Sequence, residues 1–288
     1  MYFDRARIGP MVAEATEKGV SVERIVHHLV TTFGYAVPVA KRIVVACEND
    51  GGNMLASQLP PAVICPYPVH SEMGNFNFQG RKLRISFAHL YPTIFLIENV
   101  VSEEECSSLI SLARVFSRPS LLVPYEGGEA VAEGYVRTNT TTPVSEEADS
   151  LGPRLLRRFA SLVQWPVNNC EGLEVQRYQQ GQSFALHVDY LNAEMLCTNP
   201  AGIHSGNCVG NILVYLNEPE SGGATYFANL GLEIAPRKGA ALFFNYPTLN
   251  ADSMTLHAGN PVVHGEKFIA TTVFRERPWK RARPLDQE

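Results

Sequence analysis

From Glu171 onward the chain runs in short β-like segments punctuated by glycine, and this pattern constrains the fold more than any other feature. Runs rich in branched and aromatic residues fall near 173–178, 183–189, 211–216, 232–235, 240–245 and 267–275. Gly181, Gly222-Gly223, Gly239 and Gly259 stand between them or at their edges, as turn positions do. Many short strands at such spacing close into a sandwich or barrel, here of the double-stranded β-helix (jelly-roll) kind. The predicted class is mainly β with flanking helices.

The first part of the chain has a different period. Residues 12–47 read as helix, with Ser21 as a cap and Ile25, Val26, Leu29 and Val30 on one face. Gly34 is a stop signal and Pro38 suits the first turn of a further helix over 39–47. Gly51-Gly52, Pro60-Pro61, Pro66 and Pro68 mark an irregular stretch. The division is a small helical unit over 1–50, a linker over 51–80 and a main domain over 81–288, with its jelly-roll core at about 171–277. Within that domain 83–99 reads as strand broken by Pro92. Ser102 and Glu105 have capping-box spacing and open a helix through Leu109, Ile110 and Leu112. A second helix is predicted over about 145–163.

Composition excludes several function classes. With 24 Lys+Arg against 29 Asp+Glu, the formal net charge of -5 lacks the basic excess of a nucleic-acid binder. No run approaches the length of a membrane span, and 1–10 lacks the apolar core of a secretory signal. The six cysteines are scattered with no CxxC pair, as in a reduced cytoplasmic protein. No residue pattern reports the oligomeric state.

The chemistry concentrates at Phe184-Ala185-Leu186-His187-Val188-Asp189. On a strand alternate side chains share a face, so His187 and Asp189 point one way while Phe184, Leu186 and Val188 point the other. An imidazole beside a carboxylate on a face that is otherwise apolar is costly unless something satisfies both, and a metal does so. Two histidines and one carboxylate form the facial triad of non-haem Fe(II) oxygenases. The third ligand has two downstream candidates, His257 and His264, while His204 falls in a segment, 191–210, read as a lid with Gly202, Gly206 and Gly210 as hinges. Lys267, Ile269, Thr271 and Val273 share one face of the last strand. A lysine there either snorkels to solvent or serves as a point charge for an anion.

Taken in order, Tyr178, Gly181, Phe184, His187, Asp189, then Tyr215-Leu216-Asn217, Gly222-Gly223-Ala224-Thr225, Pro236, Gly239, His257-Ala258-Gly259, Gly265 and Lys267 resemble the prolyl 4-hydroxylase branch of the Fe(II)/2-oxoglutarate-dependent dioxygenases. The resemblance covers about 83–277 and is most specific after Glu171. It implies His187, Asp189 and His257 as iron ligands, and Lys267 as partner of the 2-oxoglutarate C5 carboxylate. Thr271 would add a hydrogen bond to that carboxylate, and Tyr178 and Tyr215 would line the cosubstrate pocket. It further implies O2, Fe(II), 2-oxoglutarate and ascorbate as reaction partners, in hydroxylation of an aliphatic carbon with release of succinate and CO2. Arg137, in Arg137-Thr138-Asn139, stands where relatives carry a substrate-side segment, and is otherwise an exposed loop arginine.

The departures concern the substrate. Cys208 stands in place of a usual arginine, Asn211 of a threonine, Val273 of a tryptophan, Ala224 of a glutamate and Phe184 of a tyrosine. Arg137, Asn211 and Val273 are thus the candidate substrate contacts. The substrate is expected to be a prolyl residue in a peptide or protein, or a free cyclic amino acid. The contrasting reading is a catalytically weak oxygen- or iron-responsive binding module of the same fold, but such a module has no need of His187, Asp189, His257 and Lys267 together. A zinc hydrolase would want a general base that the motif does not supply.

Overall fold

A computed structural model of the chain describes residues 8–33, 40–41, 43–45, 47, 65–70, 73–120, 136–148 and 150–279. The strands are β1 (Gly74–Phe78), β2 (Arg81–Leu90), β3 (Thr93–Glu98), β4 (Arg118–Pro119), β5 (Thr140–Pro143), β6 (Glu174–Tyr178), β7 (Phe184–His187), β8 (Cys208–Tyr215), β9 (Ser221–Gly222), β10 (Thr225–Phe227), β11 (Leu232–Ile234), β12 (Ala241–Asn245), β13 (His257–Gly259), β14 (Val262–His264) and β15 (Lys267–Arg275). The helices are α1 (Ile8–Glu17), α2 (Val22–Phe33), α3 (Glu103–Phe116), α4 (Leu151–Leu162), α5 (Ala193–Thr198) and α6 (Pro200–Ser205).

Successive segments of the C-terminal half alternate between two sheets. A nine-stranded sheet runs β1-β2-β3-β12-β8-β15-β6-β5-β4, and a four-stranded sheet runs β11-β10-β13-β7. The chain enters the large sheet at β6, crosses to the small one at β7, returns at β8, crosses for β10 and β11, returns at β12, crosses for β13 and returns at β15. That winding is the double-stranded β-helix. β14 and β9 form a separate short pair.

The large sheet is buried on both faces, which is why β8 and β12 read as continuous apolar runs rather than alternating ones. Odd and even residues nonetheless part company. Ile212, Val214, Leu216, Ala241, Phe243, Phe268, Ala270 and Phe274 face the helices. Leu213, Tyr215, Leu242, Phe244 and Ile269 face the space between the sheets. The helix-side core takes in Ile8, Val12, Ile25, Leu29, Ile43 and Val44, so the N-terminal helices share one apolar cluster with the outer face of the sheet.

Several elements differ from the sequence reading. The sheet starts at Gly74, inside the stretch taken as linker, because β1 pairs with β2 around the tight turn at Gln79-Gly80. Residues 51–64 of that stretch, like Gly34 and Pro38, lie outside the described residues. The helix expected from 145 begins at Leu151, after Ser150, which places Pro153 in the first turn where its missing N–H is not needed. Thr225–Phe227 and His257–Gly259 form strands too short to show a period of their own. The capping box at Ser102 is present in full, and Glu105 also takes a bidentate pair from Arg158 at 2.8 Å.

The segment 191–210, read as a lid, is mostly helical. It forms α5 and α6, and its ends are tied by Asn207, whose side chain accepts from Leu191 N at 2.7 Å and donates to Leu191 O at 2.7 Å. Arg277 donates to the carbonyls of Gly202 and Ile203, and Arg275 to that of Gly206.

Candidate active site

The small sheet sets the histidines by register. His187, the last residue of β7, is paired directly with His257, the first of β13, and their ring centroids lie 4.2 Å apart. Each ring is oriented by a backbone carbonyl. His187 Nδ1 meets Ala185 O at 2.8 Å and His257 Nδ1 meets Thr255 O at 3.0 Å. With Nδ1 donating, each Nε2 keeps its lone pair for the space between the rings, the arrangement that ligating histidines use. Phe184 stacks on the His187 ring at 3.6 Å, and Phe244 meets the His257 ring edge at 4.8 Å.

Asp189 joins them by a different route from the one its spacing implied. β7 ends at His187, so strand alternation does not carry as far as the aspartate. Two hydrogen bonds hold its carboxylate instead, from Asn211 Nδ2 at 3.0 Å and from the Tyr246 hydroxyl, both to Oδ2. Asp189 Oδ1 lies 3.4 Å from His187 Nε2, and Oδ2 lies 3.7 Å from His257 Nε2. Burial by itself raises the Asp189 carboxyl, but the His257 and His187 imidazoles and the Tyr246 hydroxyl outweigh it and hold the group well below the ordinary carboxylate range. Burial lowers His257 to about 4, with His187 adding to the effect. At His257 and Asp189 the donors are therefore a neutral imidazole and a carboxylate, the protonation states a metal requires. Ligand atoms of the three lie within 4.8 Å of one another, and among the described residues this is the group that fits a metal ion.

Lys267 opens β15 opposite Tyr178 of β6, and it is 2% exposed. Its Nζ lies 5.1 Å from the Tyr178 ring and 5.9 Å from the Tyr215 ring. It has no ion pair among the described residues, and burial pulls it down to about 7. Gly223, at φ +71°, leaves the space this stem occupies, since a Cβ there would stand 3.1 Å from Lys267 Cδ. A cavity of about 1000 Å³ contains His187, Asp189, His257 and Lys267 in its lining, together with Tyr178, Asn211, Leu213, Ile269, Thr271, Val273 and Arg137.

Other expectations come out unevenly. Tyr178 lines the cavity, its hydroxyl donating to Gln176 Oε1 at 2.8 Å. Tyr215 does not line it. It is fully buried, with its hydroxyl 2.8 Å from Thr225 Oγ1 and its ring under the Lys267 ammonium at 5.9 Å. The Thr271 hydroxyl donates to Asn211 Oδ1 at 3.0 Å and toward Ile212 O at 3.2 Å, so its one proton is taken by protein acceptors. Arg137 stands at the cavity wall with its guanidinium over Phe184 at 4.8 Å and Nε on Asn139 Oδ1 at 2.9 Å. Val273 pairs with Asn211 across β15 and β8, and both face the cavity. His264 is exposed on β14, and His204 sits in the last turn of α6, away from the triad. Tyr246 is the residue that sequence reasoning missed. Carrying the inward alternation of Leu242 and Phe244 one step past the end of β12 would have found it.

The comparisons agree with this geometry. A profile of the 2OG-Fe(II) oxygenase superfamily matches residues 173–275. The chain is 32% identical over 212 residues to probable prolyl 4-hydroxylase 7 of Arabidopsis thaliana, covering 66% of this chain and 65% of that protein. It is 32% identical over 201 residues to probable prolyl 4-hydroxylase 3 of the same plant, covering 62% and 68%. The chain thus spans about two thirds of the length of these relatives. Among solved structures, the viral collagen prolyl hydroxylase of Paramecium bursaria Chlorella virus-1, in complex with 2OG, is 26% identical at a TM-score of 0.47, covering 63% of this chain and 95% of that one. By its sequence relatives, this chain belongs to the prolyl 4-hydroxylase family of 2OG-Fe(II) oxygenases.

Proposed function

We propose that the chain is an Fe(II)- and 2-oxoglutarate-dependent dioxygenase that hydroxylates an aliphatic carbon of a prolyl residue in a peptide or protein, or of a free cyclic amino acid. The observation that carries this reading is a buried ammonium with no ion pair among the described residues, Lys267, lining the same cavity as the His187, Asp189 and His257 group. A metal without Lys267 would fit many chemistries. Lys267 adds the demand for a dicarboxylate.

His187, Asp189 and His257 would hold the iron, which when bound supplies the redox chemistry that activates O2 against 2-oxoglutarate. Lys267 takes the far carboxylate, a charge-assisted contact strengthened by its dry surroundings. Leu213 and Ile269 give the cavity an apolar wall. Arg137 and Val273 face the part of the cavity left for substrate. Ascorbate serves as the reductant that keeps the iron ferrous, and the cytoplasm is the compartment. Supporting the last point, Cys106, Cys170, Cys197 and Cys208 carry free thiols.

The test is a screen of proline-containing peptides and free cyclic amino acids with Fe(II), 2-oxoglutarate and ascorbate, read by mass. A gain of one oxygen on any of them supports the reading. No gain on either class while 2-oxoglutarate is consumed contradicts the substrate assignment.

A further inference from the structure

The two oxygens of the Asp189 carboxylate are treated differently. Oδ2 accepts from Asn211 Nδ2 at 3.0 Å and from the Tyr246 hydroxyl, whereas Oδ1 has His187 Nε2 at 3.4 Å as its side-chain neighbour. Both donors to Oδ2 are themselves fixed. Thr271 Oγ1 donates to Asn211 Oδ1 at 3.0 Å, which forces the amide nitrogen of Asn211 toward Asp189. Asn211 is 8% exposed, and its strand position opposite Val273 leaves it little freedom. Tyr246 is fully buried. Its backbone N donates to Val209 O at 3.1 Å, and its carbonyl accepts from Cys65 Sγ at 3.0 Å.

A carboxylate can bind a metal through one oxygen or through both, and binding through both fills a coordination position. 2-Oxoglutarate needs two positions and O2 a third, so a second carboxylate oxygen would compete directly with the cosubstrate. Two hydrogen bonds on Oδ2 occupy its lone pairs and leave Oδ1 as the free donor.

We propose that Asn211 and Tyr246 form a clamp that holds Asp189 to one-oxygen ligation, so that Asn211 is a positioning residue for the metal ligand rather than a contact to substrate. The clamp reaches across the sheet. Thr271, on the same strand face as Lys267, holds Asn211, and Asn211 holds Asp189, which ties the wall of the cosubstrate pocket to the metal ligand. This inference rests on the dioxygenase reading.

The test uses Asn211→Leu, Tyr246→Phe and the double variant of the full chain. Each is titrated first with Mn(II) alone and then, Mn(II)-loaded, with 2-oxoglutarate, with thermal unfolding followed alongside. The expected result is Mn(II) affinity kept within about tenfold while 2-oxoglutarate affinity falls about 10- to 100-fold, the range that loss of a supporting group produces. The double variant should fall short of the product of the singles, because both groups serve one oxygen. A merely structural role would lower the unfolding temperature and Mn(II) affinity together and leave 2-oxoglutarate affinity of the loaded protein unchanged. That result, in either single variant, overturns the clamp. Should Asn211→Leu fail to fold, Tyr246→Phe decides alone, since it removes one oxygen and no volume. Wild-type protein that takes Mn(II) but no 2-oxoglutarate contradicts the dioxygenase reading itself, and is told apart from wild type and variants binding both alike.

Discussion

His187 and His257 are directly opposed partners in the register of β7 and β13. Side chains alternate faces along a strand, so a slip of one residue would turn one ring out of the site. The pairing therefore fixes both candidate ligands at once. His257→Ala should abolish specific metal binding, because it removes one of the three side chains that can hold the ion. Fold should be kept, because the ring fills a small space between Phe227 and Phe244. Calorimetric titration with Mn(II) and far-UV circular dichroism check the two halves of this expectation. Wild-type affinity in the variant would remove His257 from the ligand set.

Lys267→Ala should separate cosubstrate from metal. A charge-assisted hydrogen bond in a dry site contributes about 1.5–3 kcal/mol, so the 2-oxoglutarate KM should rise about 10- to 100-fold. Metal affinity should hold, because the ammonium belongs to the large sheet and the histidines to the small one. Steady-state kinetics over a range of 2-oxoglutarate, with a parallel Mn(II) titration, gives both numbers.

The same lysine sets a pH dependence. Burial lowers it from 10.5 to about 7 in the folded protein, while the unfolded chain keeps the ordinary value. Between those limits the unfolded state binds more protons, so this group makes stability rise with pH from about 7 to about 10.5. An arriving carboxylate favours the charged form and raises the lysine again. Binding of 2-oxoglutarate above pH 7 should therefore take up a proton. Calorimetry in buffers of different ionisation enthalpy measures that uptake, and Lys267→Met should eliminate it.

His187, Asp189, His257 and Lys267, which the structure brings to one cavity, were legible because each sits in a short motif with its own glycine punctuation: His187 and Asp189 after Gly181, His257 before Gly259, Lys267 after Gly265. The alternation of β15 was legible too, since a nine-residue strand shows its period. The support around Asp189 was hidden. Tyr246 lies beyond the end of its strand, and Asn211 was read toward substrate because nothing in a linear pattern says that its amide meets a carboxylate 22 residues away. Likewise 191–210 looked like a flap, with three glycines and no long apolar run. Its ties run to Asn207 and to arginines of the C-terminal segment, the latter remote in sequence.

Val273 lines the cavity with a small side chain, paired with Asn211, on the side proposed for substrate. Val273→Trp adds bulk where substrate enters and leaves Lys267 and the triad untouched. It should shift preference among accepted substrates, and slow the larger ones at least ~10-fold. Substrate-free decarboxylation of 2-oxoglutarate should change little. Relative product yields from mixed substrates, beside succinate release without substrate, check both statements.

The most direct test of the whole account is an anaerobic mixture of the wild-type chain with Fe(II) and 2-oxoglutarate, followed by a pulse of O2. The site geometry calls for a weak visible charge-transfer band that forms only when protein, metal and cosubstrate are all present, and then for succinate in step with O2 consumed. No band and no succinate, from folded protein that binds the metal, would contradict it.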